Sequence, residues 1–268
     1  MRYLFFFIIV CFNSAQELNS QSRHDNIWIL NQMNVLDFSN NELNVYQKEN
    51  AFSSYGPGDY STSICDQEGN LLFFGGGCHL FNKEYELLLN GDSINSEESL
   101  NSTCGSGDFP AAQANLILPH PFKESIYYYL NQNMVRVIED EFRMPDRLFC
   151  QTIDMDRDEG RGEVIVKNEV ILSDTLSRGY VQATSHSNGV NWWIITNEYK
   201  SNCFYISELN EKGFTSFSKQ CTGNILGNED VGGQIIFSPD GRKLARINSV
   251  YGWELFDFDN TNGIIEKK

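Results

Sequence analysis

The 268-residue chain is poor in positive charge and in histidine. Lys and Arg number 20 against 36 Asp and Glu, a formal net charge of −16. That balance excludes the basic footprint that neutralises nucleic-acid phosphates, and it argues equally against retention on anionic lipid. The 4 histidines (His24, His79, His120 and His186) stand apart, with no H-E-x-x-H or other metal spacing. No C-x-x-C occurs, so neither a zinc ribbon nor a thioredoxin-type site is signalled. A G-x-S-x-G nucleophile turn is lacking, as is a P-loop. Gly75-Gly76-Gly77 has no Lys-Ser/Thr behind it and reads as a flexible connection to Cys78. No amphipathic helical period stands out. Beyond the first residues, no apolar run approaches the roughly 20 residues that a membrane-spanning helix needs.

What is present is a globular composition, with 41% hydrophobic and 13% aromatic residues. The length is ample for a sizeable core, in one large domain or two ordinary ones. The N-terminus has the order of a secretory signal: one charge at Arg2, an unbroken apolar run from Leu4 to Phe12, then Asn13-Ser14-Ala15. The expected organisation is a signal peptide over 1–15, a linker over 16–25 and a β domain over 26–268. The mature chain is then secreted or displayed at the cell surface, without a transmembrane segment.

Cysteine usage agrees with export. Without Cys11, six remain: Cys65, Cys78, Cys104, Cys150, Cys203 and Cys221. Asn202 to Leu209 reads as a strand and Phe214 to Gln220 as its return. Closing the loop Glu211-Lys212-Gly213 with Asn210 opposite Phe214 places Cys203 directly opposite Cys221 in a non-hydrogen-bonded pair, where a bridge can form. A single bulge would spoil this register. The other four cysteines allow three pairings that the sequence does not choose among; Cys78–Cys104 is the preference.

Short apolar, aromatic or β-branched runs recur along the body: Ile27 to Leu30, Leu71 to Phe74, Leu116 to Leu118, Ile126 to Leu130, Val164 to Val166, Val170 to Leu172, Trp192 to Thr196, Gln234 to Phe237 and Trp253 to Phe258. Their size and their Gly/Asn/Asp punctuation predict an all-β domain. The turns also repeat. Asp66-Gln67-Glu68-Gly69, Ser187-Asn188-Gly189, Ser238-Pro239-Asp240-Gly241 and Asn260-Thr261-Asn262-Gly263 each precede a hydrophobic strand, as in tight hairpins whose last loop residue is left-handed. Lys123-Glu124-Ser125 fills the same slot without Gly. Repetition at about 50–65 residues favours a β-propeller of four-stranded blades with long loops, about four to five of them with the last incomplete. A β-sandwich is the alternative.

Phe237-Ser238-Pro239-Asp240-Gly241-Arg242-Lys243-Leu244-Ala245 resembles the signature turn of WD-like and TolB-like propeller repeats. Glu254 to Asp259, followed by Thr261-Asn262-Gly263, resembles the next strand and turn of such a blade, and Trp28 to Phe38 resembles that strand again. Asp66 to Phe74, Ala112 to Pro121, Ile153-Asp154-Met155 with Gly160 to Val164, and Gly189 to Thr196 extend the likeness to the N-terminal propeller of large secreted surface proteins of gliding bacteria, exported by the type IX route. The resemblance spans roughly 26 to 265. It implies a propeller at the cell surface, and it implies little about activity.

Asp154, Asp156 and Asp158 alternate in an acidic turn and form a candidate calcium site. Glu159 and Ile165 occupy the places where an EF-hand needs Gly and Glu, so that motif is not matched. Trp192-Trp193 and Tyr127-Tyr128-Tyr129 place alternate rings on opposite sides of a sheet. No catalytic constellation is visible. The expected function is a protein- or glycan-binding or adhesion module at the cell surface, with no nucleic-acid partner and no cofactor beyond calcium. A propeller-type hydrolase or lyase, and a truncated remnant of a larger surface protein, are the alternatives.

Overall fold

The computed structural model describes residues 23–30, 34–40, 42–48, 60–102, 104, 112–133, 135–136, 143–230 and 232–267. The signal peptide and most of the linker expected from the sequence lie outside the described residues. The fold is all-β. Among the described residues, five antiparallel sheets of three or more strands follow one another along the chain as meanders. Sheet I comprises β1 (Ile27–Ile29), β2 (Asn34–Asp37) and β3 (Asn44–Gln47). Sheet II comprises β4 (Thr62–Cys65), β5 (Leu71–Gly75) and β6 (Leu80–Asn82). Sheet III comprises β7 (Asn115–Pro119), β8 (Ile126–Gln132), β11 (Arg147–Asp154) and β12 (Glu163–Ser173), with a two-stranded ribbon of β9 (Val135–Arg136) and β10 (Arg143–Met144) inserted after β8. Sheet IV comprises β13 (Gln182–Ser185), β14 (Trp192–Asn197), β15 (Cys203–Asn210), β16 (Gly213–Phe214) and β17 (Ser218–Cys221). Sheet V comprises β18 (Gly233–Phe237), β19 (Lys243–Asn248), β20 (Gly252–Asp259) and β21 (Ile264–Lys267).

The first hairpin of four sheets is built alike, and the sequence repeat is its cause. In each, the residue after the first strand donates its N–H to the residue that ends the turn: Asp66 to Asn70 O (2.8 Å), His120 to Ile126 O (2.9 Å), His186 to Asn191 O (2.9 Å) and Ser238 to Lys243 O (3.0 Å). Gly69, Gly189 and Gly241 hold φ of 92°, 74° and 66°, the left-handed conformation that these turns require.

The sheets stack face to face through four apolar cores, and single strands feed two cores at once. Ile29 and Val35 meet Leu71, Phe74 and Phe81 between sheets I and II. Phe73, on the other face of β5, meets Tyr127, Tyr129 and Ile153 between sheets II and III. Leu130 and Cys150 meet Ile194 and Tyr205 between sheets III and IV. Ile195 and Phe204, the chain neighbours of Ile194 and Tyr205, meet Ile235, Leu244 and Phe256 between sheets IV and V. In β8, β14 and β15 this is period-2 alternation with both faces buried, whereas a register shift in β5 places Leu71 and Phe74 in one core and Leu72 and Phe73 in the other; each such side chain contributes roughly 1.5–3 kcal/mol. The paired aromatics obey it too: Tyr127 and Tyr129 point into one core, and Tyr128 packs at the other.

The first strands of successive sheets lie together. β1 packs against β4, β4 against β7, and β13 against β18. Gly179 and Gly233 form a parallel bridge, and Val181 N–H donates to Gln113 O (3.1 Å). The Gln113 side chain acts as a strand partner, donating to Ile235 O and accepting from Ile235 N–H, both at 2.7 Å.

Several expectations are corrected. Trp28 to Phe38 is a hairpin, not one strand, because Trp28 pairs with Leu36. Val164 to Val166 and Val170 to Leu172 belong to one long strand. Asn168 interrupts it at φ 56°, held by Gln151 and Asn95. Among the described residues, sheets I and II show three strands each, and the last sheet, expected to be incomplete, has four. A six-residue helix, α1 (Glu97–Ser102), interrupts the otherwise strand-built chain. Gly75-Gly76-Gly77 is buried: a Cβ on Gly75 would lie 2.5 Å from Leu80 Cδ2, so β5 and β6 approach closely there.

Candidate functional site

Asp154, Asp156 and Asp158 lie in the turn between β11 and β12, and two of them are already engaged. Asp154 accepts from Asp156 N–H (3.1 Å) and from Arg157 Nε (3.3 Å), and Asp158 accepts from Arg161 Nη2 (2.8 Å). Asp156 is exposed and lines a groove described below. Among the described residues, no group of three His, Cys, Asp or Glu side chains converges as a metal site. The histidines are dispersed. His24 Nδ1 sits 2.5 Å from Cys65 O. Burial lowers the pKa of His79, which lies beside Phe81. His120 stacks on Tyr128 and His186 on Trp193, each accepting a turn N–H at Nδ1.

Two disulfides are formed, Cys78–Cys104 and Cys203–Cys221. Cys65 and Cys150 are free and buried, and burial pushes both thiols up, Cys65 to about 11. The second bridge has an instructive register. The hairpin closes one residue tighter than the turn residues predict, with Asn210 opposite Gly213. A one-residue slip follows, where Thr215 Oγ1 accepts from Glu208 N–H and Thr215 O from Ser207 Oγ. The two departures cancel, and Cys203 faces Cys221 at a Cα separation of 3.9 Å.

A buried polar clasp joins sheets IV and V near their first strands. Asp230 accepts from Ser177 Oγ (2.5 Å), Asn248 Nδ2 (3.0 Å) and Gly232 N–H (3.1 Å), and Asn248 also donates to Tyr180 Oη (3.0 Å). With its oxygens committed to protein donors, this carboxylate fixes geometry.

The outward face of sheet V is apolar and exposed. Ile235, Leu244 and Phe256 point into the core, so their neighbours point away. Ile236, Ala245 and Leu255 align in one cross-strand row, and Gln234, Ile247 and Trp253 in the next. Ile236, Ile247, Leu255 and Trp253 are exposed, Trp253 by 74%. Sheet I mirrors this with a row of Trp28, Leu36 and Val45, in which Trp28 and Val45 are exposed. The signal was in the sequence. Ile235-Ile236-Phe237 and Leu255-Phe256 are apolar on both parities, the mark of a strand meant for two covered faces, although neither Trp253 nor Leu255 was singled out as a site residue.

Among the described residues, grooves of about 580 and 630 Å³ open among turns. The first lies along sheet V, between Asp240–Lys243 and Asp257–Thr261, where Lys243 pairs with Asp257. The second lies between sheets II and III and is lined by Asp66, Leu72, Glu124, Tyr127, Met155 and Asp156 among others. No helix among the described residues is long and apolar enough to cross a membrane.

Neither a protein-family profile nor a curated protein matches the chain. Two solved structures are similar along most of it. One is a Bacteroides fragilis protein assigned as a 6-phosphogluconolactonase, 15% identical, with a TM-score of 0.44 over 87% of this chain and 62% of that one. The other is a functionally unknown protein from Desulfotomaculum acetoxidans, 11% identical, with a TM-score of 0.41 over 88% of this chain and 61% of that one. The chain thus spans about three fifths of the length of each. At these scores neither assigns a fold name or an activity, and the architecture rests on the strand order and packing above.

Proposed function

We propose that the chain is an exported binding module of β-propeller type that docks the apolar face of another polypeptide's β-sheet through sheet V. Successive meanders with neighbouring first strands, and single strands feeding two cores, support the propeller reading. Five stacked layers exceed the two of a sandwich. Resemblance to the N-terminal propellers of secreted surface proteins supports the same reading, as do two disulfides in a chain whose first residues read as a secretory signal. One observation carries the function: the aligned rows of Ile236, Leu255, Ile247 and Trp253 on an exposed sheet face. Every internal junction of this fold pairs two such faces, so the complementary surface is a further sheet. Aliphatic side chains dominate the rows, which suits a protein partner better than a glycan.

The test compares the purified protein with a Trp253→Ser/Leu255→Ser variant for binding to the outer surface of the producing cells. The variant keeps the parent melting temperature within about 2 °C, because surface substitutions are worth only about ±0.5 kcal/mol. It loses binding at least tenfold. Equal binding by both proteins, or no binding by the parent, would remove the proposal.

A further inference from the structure

Sheet I presents a second apolar face, at the other end of the stack from sheet V. Ile29 and Val35 turn toward sheet II, so Trp28, Leu36 and Val45 turn away from it as one cross-strand row. Trp28 is 46% and Val45 63% exposed, and the exposed Phe38 stands edge-on to Trp28 at 5.5 Å. Asn34 and Gln47 form the next pair on this face, and Asp37 has the parity of Val35, toward sheet II. The strands of sheet I therefore place no charge on their outward side. Sheet V is alike. Its two outward rows, Ile236, Ala245, Leu255 and Gln234, Ile247, Trp253, are uncharged. The row beyond them is Lys243, Asp257 and Glu266, in which Lys243 already pairs with Asp257, and it forms a polar rim.

Three properties identify what these faces fit. Both are exposed in the same molecule, so one copy does not bring them together. Each also has the parity of one half of an internal junction. Where sheets IV and V meet, Ile195 and Phe204 of the earlier sheet pack on Ile235, Leu244 and Phe256 of the later one. The outward face of sheet V is the earlier half of such a junction, and the outward face of sheet I is the later half. Joined, they would set β1 of one copy beside β18 of another, as β4 lies beside β1 and β18 beside β13 within the chain. The third property is charge. Copies carrying −16 each repel, and contact between them needs surfaces free of like charge, which both faces are. Pairing sheet V with sheet V would leave the Trp28 row in water.

We propose that copies of this chain associate head to tail, with the Ile236, Ile247, Leu255 and Trp253 rows of one copy on the Trp28, Leu36 and Val45 row of the next. Such a contact rests on the docking role proposed for sheet V and gives it a second copy of this chain as partner.

Sedimentation velocity of the purified protein over a wide concentration range tests this. Species larger than the monomer grow with concentration by mass action. Val45→Asp and Trp253→Asp each abolish them, because every contact in a uniform solution then holds one charged face. Mixed in equal amounts, the two variants form a 1:1 pair and nothing larger, since sheet V of the first still fits sheet I of the second, the signature of a heterologous contact. Melting of each variant is checked first; where aspartate costs the fold, Val45→Thr and Trp253→Ser replace it and weaken self-association at least several-fold. Added salt strengthens association, because it screens the repulsion between acidic copies and breaks no ion pair at the contact. A parent that stays monomeric at every concentration, self-association that persists in Val45→Asp, or folded variants that do not pair on mixing would each overturn the proposal. Cell binding by a parent that stays monomeric would leave the docking role of sheet V standing and remove only the second copy as its partner. Self-association without cell binding would do the reverse.

Discussion

Replacing Glu254 with glutamine isolates the interaction that locks sheet V to sheet IV. Arg246 projects from β19 into that junction with its side chain 1% exposed. Its guanidinium pairs with Glu254, donates to Asn224 O (2.6 Å) and to Asn197 Oδ1 (3.1 Å), and lies 5.1 Å from the Phe204 ring and 5.8 Å from the Phe256 ring. Glu254→Gln keeps the volume but leaves that cation without its carboxylate in a water-excluded site, a change that costs about 3–5 kcal/mol. Arg246→Met is expected to be milder, about 2–4 kcal/mol. It keeps an apolar stem, and Glu254 retains Lys267 Nζ (3.0 Å) and Asn224 N–H (2.9 Å), while two cation–π contacts of about 0.5–1 kcal/mol each are lost. Since the two side chains touch, the double variant costs less than the summed single costs by at least about 1.5 kcal/mol. Urea unfolding of the four proteins measures this cycle, and Glu254→Gln lowers the melting temperature by roughly 10 °C. Additive effects, or a Glu254→Gln cost below about 1 kcal/mol, would show that Arg246 reaches water and that sheets IV and V do not pack as described.

Other outcomes follow from the same contacts. Although burial of Glu254 acts to raise its pKa, hydrogen bonds from Arg246 and Lys267 bring it below the usual carboxylate value. The pair's stability is therefore fully present above the unfolded carboxylate pKa, about 4.3. It is lost as pH falls through the lower folded value, so the gap between parent and Glu254→Gln closes in acid; a gap that widens on acidification contradicts this. Cys203→Ser/Cys221→Ser opens a cross-link of sequence separation 18 and lowers stability by about 2–4 kcal/mol in urea, and a loss under about 0.5 kcal/mol would show that the bridge is not formed. Gly263→Ala places a Cβ 2.6 Å from Trp193 Cζ3 at φ 67°, whereas Gly189→Ala, at φ 74°, meets nothing within 4 Å. The first costs at least about 1 kcal/mol more than the second by thermal unfolding, and equal costs would mean that the last turn of sheet V does not cover Trp193.

The strand class was legible because turn chemistry is local. The left-handed glycines at 69, 189 and 241 recur in sequence, and the structure shows the same closing hydrogen bond at these three turns and at the turn without glycine after His120. Long-range partners were less so. The cysteine register came out through two compensating departures: a turn one residue shorter and a slip near Thr215 that no local rule signals. In sequence, β12 reads as two runs, Val164 to Val166 and Val170 to Leu172, because the polar residues Lys167, Asn168 and Glu169 separate them. It stays one strand because Gln151 and Asn95 hold Asn168 from other parts of the fold. Acidic alternation drew attention to Asp154, Asp156 and Asp158, yet arginines only three residues on occupy Asp154 and Asp158. The exposed rows of sheets I and V depend on which face each strand turns outward, and that is fixed only once the neighbouring layers are in place.

The account turns on the outward face of sheet V being uncovered in the free protein. Hydroxyl-radical footprinting of the purified monomer, read at each tryptophan by mass spectrometry, tests this directly. Trp253, 74% exposed, should oxidise several-fold faster than Trp193, which packs against Phe258 and donates to Asn260 O. Protection of Trp253 equal to that of Trp193 would mean that the chain covers this face itself, and the proposed docking surface would not exist.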